Sequence, residues 1–128
     1  MKRLWIVLGA LAVTLGALAL AMLLGSASFD FRRYTQHEDR LRRVMREAPS
    51  ADRLTRGLAE EGSPLLAAPR TAEETARVVA AHGGRKAAEV RAKAARYPQM
   101  RLYRASDMLY FVYFDADGVM RDFTCVGN

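Results

Sequence analysis

Apolar and polar positions follow three regimes along the chain. The first is "LWIVLGALAVTLGALALAMLL", residues 4–24, which carries no charge and has Thr14 as its one polar side chain. At about 1.5 Å of rise per residue, such a helix spans roughly 30 Å, the thickness of a bilayer's hydrocarbon core. Secretory signals usually have an apolar stretch of only about 7–15 residues. The pattern therefore predicts a retained transmembrane anchor over residues 1–27, with cleavage after Ala27 in "GSAS" as the alternative. No cysteine lies near the end of the apolar run, which excludes a lipid-modified cysteine as anchor.

The second regime has helical period. Tyr34, Leu41, Val44, Met45 and Ala48 fall close to one stripe and predict an amphipathic juxtamembrane helix over residues 28–49, stopped by Pro49. Ser50 can cap a short helix, "ADRLTRGLAEE", with Leu54 and Leu58 on one face, and Gly62, Ser63 and Pro64 end it. "LLAAP", residues 65–69, reads as an apolar connection that packs. Thr71 and Glu74 form a capping box, in which the Glu74 carboxylate should return to the Thr71 amide. The helix it opens sets Ala76, Val79 and Ala80 on one side and meets Gly83 and Gly84, which permit a left-handed turn. A further helix, "RKAAEVRAKAARY", aligns Ala87, Val90, Ala94 and Tyr97, and Pro98 ends it.

The third regime has period two. "RLYR" (101–104), "MLYFVYF" (108–114) and "VMRDFTCV" (119–126) predict three strands joined by "ASD" and "DADG", with Gly118 free to take positive φ. The middle strand is apolar on both faces, as a strand covered on both sides would be. The expected fold is thus α+β: an N-terminal transmembrane helix, then a small soluble domain over residues 50–128, with three to four helices in all packed on a three-stranded antiparallel meander.

Charge adds a direction. Lys2 and Arg3 flank the apolar run on one side; Arg32, Arg33 and, further off, Arg40 flank it on the other. The balance is close, and the short N-terminal flank favours a cytoplasmic N-terminus. The expectation is a single-pass protein of a bacterial inner (plasma) membrane, its C-terminal domain periplasmic or extracellular. Arg40, Arg42, Arg43 and Arg46 also resist translocation, so the opposite placement is the alternative. Of the 20 basic residues, 18 lie beyond residue 25 with all 14 acidic ones, so that part carries a net +4. The excess gathers in residues 85–104, where seven basic residues face Glu89 alone.

Candidate chemistry is sparse. Cys125 is the single cysteine; a thiol nucleophile needs a base and an oxyanion partner, and the chain offers only His37 and His82. His82 lies before the glycines that end a helix, and Cys125 alternates in phase with Phe123, which reads as a core cysteine. Two histidines 45 positions apart and one thiol give no zinc spacing. "DADG" resembles the start of a calcium loop but lacks the further acid or amide before the glycine and the glutamate after it. No catalytic, metal or cofactor site is therefore assigned. Arg85, Lys86, Arg91, Lys93 and Arg96 are the candidate contacts for an anionic surface, with Asp107, Asp115, Asp117 and Asp122 as local partners in the alternative. Nucleic acid is disfavoured as a partner if the head lies outside the cytoplasm. Ala12 with Gly16, and Ala17 with Ala21, are small residues four apart that can let two anchors approach as a weak homodimer.

The order of capped helix, second helix and "YFVYFDADGV" is similar, over residues 69–126, to the small α+β domain of the SmpA/OmlA lipoproteins of the outer-membrane barrel assembly machinery. The chain departs from that family in three places. It has no lipid-bearing cysteine, Arg70 precedes Thr71 where the family has a Gly-Met pair, and no Gly-x-Pro follows the first helix. The resemblance implies an envelope scaffold without catalysis. The functional expectation is a membrane-tethered, non-catalytic binding or scaffold module that contacts the bilayer through residues 4–24 and an envelope protein through its head. The alternatives are a membrane-bound thiol enzyme using Cys125 with His82, or a basic surface that grips anionic lipid or nucleic acid.

Overall fold

The computed structural model describes residues 2–127, and the side chains of Lys2 and of residues 21–30 lie outside the description, with them Ala21 of the small-residue pair and the proposed cleavage point at Ala27. The chain forms two compact units, Met1–Thr35 and Gln36–Asn128. The described residues of the first unit all belong to helix α1 (Lys2–Arg46). Its window Arg3–Leu20 is long and apolar enough to cross a membrane, and none of that window is buried. Trp5 is 74% exposed and Phe31 71% exposed.

The second unit is α+β. It takes in the last turns of α1, then α2 (Ala51–Glu60), β1 (Leu65–Ala67), α3 (Ala72–His82), a 3-10 turn (Gly84–Lys86), α4 (Ala87–Arg96), β2 (Gln99–Ala105), β3 (Met108–Phe114) and β4 (Met120–Gly127). The sheet is antiparallel, in the order β1-β2-β3-β4. It therefore has four strands where the period-two pattern gives three. The added one is "LLA" of the apolar connection, which pairs Leu65 with Tyr103 and Ala67 with Leu102 across an irregular register. Leu65 and Leu66 stay exposed, while Ala67 packs against the core. Three residues are too few to show alternation, and the pairing partner is remote in sequence, so no local signal marks this strand.

The sheet is covered on both faces because β3 has no solvent face: all seven of its residues are buried. On one face Leu109, Phe111 and Tyr113 join Met100, Leu102 and Val126, and pack with Val79 of α3 and Val90 of α4. Ala87, Ala94 and Tyr97 pack beside Val90, as their helical spacing predicts. On α3 the stripe is Val78 and Val79; Ala76 and Ala80 are exposed. Successive strand residues point to opposite faces, so Tyr110, Val112 and Phe114 point the other way, with Cys125 and Phe123 opposite Tyr110 and Val112. This second face is met by α1 and α2: Thr55 bonds the Tyr103 hydroxyl at 2.8 Å and His37 bonds that of Tyr110. Leu41, Leu54 and Leu58 are 0–3% exposed.

Local signals place the joints. Ser50 caps α2, its hydroxyl accepting from the Arg53 amide at 3.2 Å. Thr71 caps α3 and accepts from the Glu74 amide at 3.1 Å, but the Glu74 carboxylate reaches the Arg70 amide instead of that of Thr71. At the end of α3 the two glycines divide the work. Gly84 takes φ +52°, while Gly83 is right-handed, and a Cβ there would lie 2.7 Å from the Val79 carbonyl oxygen. In "DADG", Gly118 has φ +75°, and the Asp115 carboxylate accepts from the amides of Asp117 and Val119 and from Arg121. Those bonds, the Val119 amide foremost, hold its carboxyl below the usual range. This is a hairpin turn.

Leu41→Ala should cost the head about 2–5 kcal/mol, since it opens a cavity where α1 meets the sheet. Leu66→Ala, at a 41% exposed position, should cost under about 1 kcal/mol, the scale of ordinary surface changes. Urea denaturation of the detergent-solubilised chain, followed by near-UV dichroism, checks the pair.

Candidate functional site

The five cations singled out on α4 and the turn before it divide by length of reach. Lys86 donates to the Cys125 carbonyl at 2.9 Å, and Lys93 donates to that of Phe123 at 2.9 Å. Lys93 also meets Asp122 at 3.4 Å and Glu89 at 3.6 Å, and lies over the Tyr113 ring. Both lysines thus lay their stems along β4 and spend ammonium protons on backbone carbonyls of the edge strand. Arg85, Arg91 and Arg96 are exposed. Among the described residues, none of these three makes an ion pair.

Arg91 borders a groove of about 350 Å³ between α3 and α4, with Val79, Ala94, Tyr97 and Met100 along it and Arg70 also on its wall. Pro69, Thr71 and Thr75 complete the end near the start of α3. The groove has two guanidinium groups and no carboxylate in its wall. Arg70 is the residue that sequence reasoning missed. It stands alone in its stretch, and only the approach of α3 to α4 sets it beside Arg91.

A second polar cluster lies on the opposite face of the sheet. Tyr110 is fully buried at its centre, bonded to His37 Nδ1 and 3.3 Å from Arg40 Nη1. His37 Nε2 lies 3.4 Å from Asp107 Oδ1, and Arg40 pairs with Glu61 and reaches Ser63 at 3.5 Å. A carboxylate, an imidazole and a phenol in series have the composition of a catalytic relay. Burial, however, pushes the Tyr110 phenol up, with Arg40 opposing it, whereas a phenolate base needs the reverse. The hydroxyl also has no exposed face for a substrate. Among the described residues, no buried polar side-chain atom lacks a partner. The arrangement suits a clamp that fixes residues 37–41 of α1 on the sheet.

Cys125 is 1% exposed, and burial pushes its thiol up to about 12. Tyr113, donating to Thr124 at 3.1 Å, is likewise pushed up by burial to about 12. Both shifts oppose ionisation, so neither group is activated for attack. His82 is half-buried at the end of α3. Among the described residues, no three of His, Cys, Asp and Glu form a group able to hold a metal ion.

No family model matches the chain, and neither the curated proteins nor the solved structures include a match. The likeness of residues 69–126 to the envelope-lipoprotein domain gains no support from these comparisons and is carried no further.

Iodoacetamide should label Cys125 only as the chain unfolds, with the labelled fraction tracking the denaturation curve. Alkaline pH should weaken the fold with a defined sign. The unfolded thiol loses its proton near 9 and the folded one near 12, so its contribution is complete below pH 9 and fades as pH rises towards 12. Cys125→Ala should flatten part of that decline, leaving the part from the buried tyrosines Tyr103, Tyr110 and Tyr113, whose phenols burial likewise pushes up. Tyr110→Phe should cost about 1–3 kcal/mol by stripping His37 and Arg40 of a shared partner, read as a shift of the urea midpoint.

Proposed function

We propose that the protein is a single-pass, membrane-tethered module of a bacterial envelope whose head binds or scaffolds another envelope protein without catalysing a reaction. The observation that carries this reading is the apolar window Arg3–Leu20, which buries none of its surface in the protein. Eighteen apolar-rich residues left bare to water would cost far more than a folded chain of this size can spare, at about 25 cal/mol per Å² of apolar surface. A lipid phase removes that cost.

The non-catalytic part of the reading is supported by the chemistry of the head. Its thiol is buried and disfavoured as an anion, and its one relay-like cluster is closed by its own partners. One accessible surface of the head is the α3/α4 groove with Arg70 and Arg91, beside Arg85 and Arg96. A partner segment carrying acidic groups would find guanidinium groups there that make no ion pair among the described residues. The N-terminus is taken as cytoplasmic and the head as periplasmic or extracellular, in the inner membrane, with weak pairing of anchors through Ala12 and Gly16 as an added feature.

After alkaline carbonate washing, the unprocessed chain should remain in the membrane pellet. Alkaline phosphatase fused after Asn128 should be active. Full-length chain in the aqueous fraction would overturn the tether, and an inactive phosphatase fusion with a fluorescent cytoplasmic one would overturn the topology.

A further inference from the structure

From the groove between α3 and α4 we infer that the head docks an acidic amphipathic helix of a partner protein. The inference rests on the binding reading and adds the partner's conformation and charge. Ala72, Ala76 and Val79 lie at i, i+4 and i+7 on one wall, and Arg91, Ala94 and Ala95 at i, i+3 and i+4 on the other. Both walls are sides of helices, where beyond the first turn the backbone N–H and C=O groups bond within the helix. A segment that buries backbone against them has to satisfy its own polar groups, which a helix does and a lone extended strand does not. Ala72, Ala76 and Ala95 are exposed, and side chains that small let a third helix approach to about 8–10 Å between axes. Ala72 and Val79 are seven positions apart on α3, about 10 Å of rise, so the groove holds about two turns of the partner. The partner's apolar side chains would recur at i, i+3 or i+4, and i+7, above a floor of Val79 and Met100.

Charge sets the sign of that partner. Arg70 and Arg91 are exposed on the groove wall, no carboxylate shares it, and among the described residues neither arginine makes an ion pair. The three acids of the two helices are engaged elsewhere: Glu74 accepts from the Arg70 amide at 2.8 Å, Glu73 meets Arg77 at 3.8 Å and Glu89 meets Lys93 at 3.6 Å. A partner helix with carboxylates flanking its apolar stripe would set them against both guanidinium groups, and each planar fork can hold a carboxylate through two parallel bonds. A basic helix would instead bring like charges together where the groove has no counter-charge of its own. Both arginines stand at the rim of the contact, so they choose the partner more than they add to its affinity.

The test uses the full chain in the membranes of its own cells, with the photoreactive residue p-benzoylphenylalanine in place of one exposed alanine at a time. Ala80 and Ala92 stand beside the groove; Ala59 on α2 and Ala116 at the hairpin tip serve as references. Mass spectrometry of the product formed beside the groove should show a linked segment whose acids outnumber its bases and whose apolar residues keep helical spacing. Arg70→Glu with Arg91→Glu should reduce that product roughly tenfold, and changing the partner's facing glutamates to lysine should restore it. The variant should keep the parent's urea midpoint, since both arginines are exposed. Arg70→Gln with Arg91→Gln repeats the comparison without reversing charge and should lose a few-fold. A basic or extended linked segment, or a yield indifferent to both variants, overturns the docking of an acidic helix. Products from the Ala59 or Ala116 positions alone overturn the groove as the docking site while leaving the binding reading standing. Products from none of the four positions overturn both.

Discussion

The structure of the head depends on a strand with nowhere to put a solvent face. β3 is buried along its whole length, and a strand of that kind is stable only if helices cover both sides of its sheet. One side is met by the αα pair that follows β1. The other cannot be met by α2 alone, and α1 supplies the difference through Leu41, His37 and Arg40. Residues 36–46 of α1 are therefore as much part of the head as the sheet they cover. The three buried tyrosines mark the same constraint, since each needs a partner for its hydroxyl: Tyr103 has Thr55, Tyr110 has His37, and Tyr113 has Thr124.

Covering two faces leaves two edges, and the edges are managed differently. β1 is three residues long and lies between Pro64 and Pro69, so little of it is offered to a further strand. β4 is longer, and it is closed by its neighbours: Lys86 and Lys93 take carbonyls of Cys125 and Phe123, and the Asp122 carboxylate takes the Phe123 amide. Lysine at a sheet edge is a recurrent guard against pairing between chains. This gives the two lysines a structural role that arginine would fill less well, because an ammonium on a flexible stem can reach a carbonyl at a point, whereas a guanidinium presents a planar fork.

Most of the fold was legible because the hydrophobic period changes where the elements change. The switch from helical spacing to alternation falls between Tyr97 and Arg101, and β2 begins at Gln99. The caps at Ser50 and Thr71 and the hairpin at Gly118 were legible because they depend on a few adjacent residues. What escaped depends on long range. β1 carries too little sequence to show a period, and the His37–Tyr110 clamp joins residues 73 positions apart. The five cations of residues 85–96 look alike in sequence. Only the approach of β4 separates two lysines that lie on the sheet from three arginines that do not. The groove was half visible: Arg91 stood out within a basic run, while Arg70 needed the packing of α3 on α4.

The contrast between the two polar regions bears on what the head can do. Around Tyr110 every buried polar atom has a partner inside the protein, so a ligand arriving there would have to break bonds worth about as much as those it makes. A closed network of this kind rigidifies the packing and gains nothing from an outside molecule. Around Arg70 and Arg91 the situation is reversed, because charges held in water on the wall of an apolar groove keep their pairing capacity for something else. An acidic partner segment would exchange solvent for a carboxylate–guanidinium pair and cover Val79, Ala94 and Met100 in the same step. On the proposed binding reading, recognition is therefore better served by the helical face than by the cluster that most resembles chemistry.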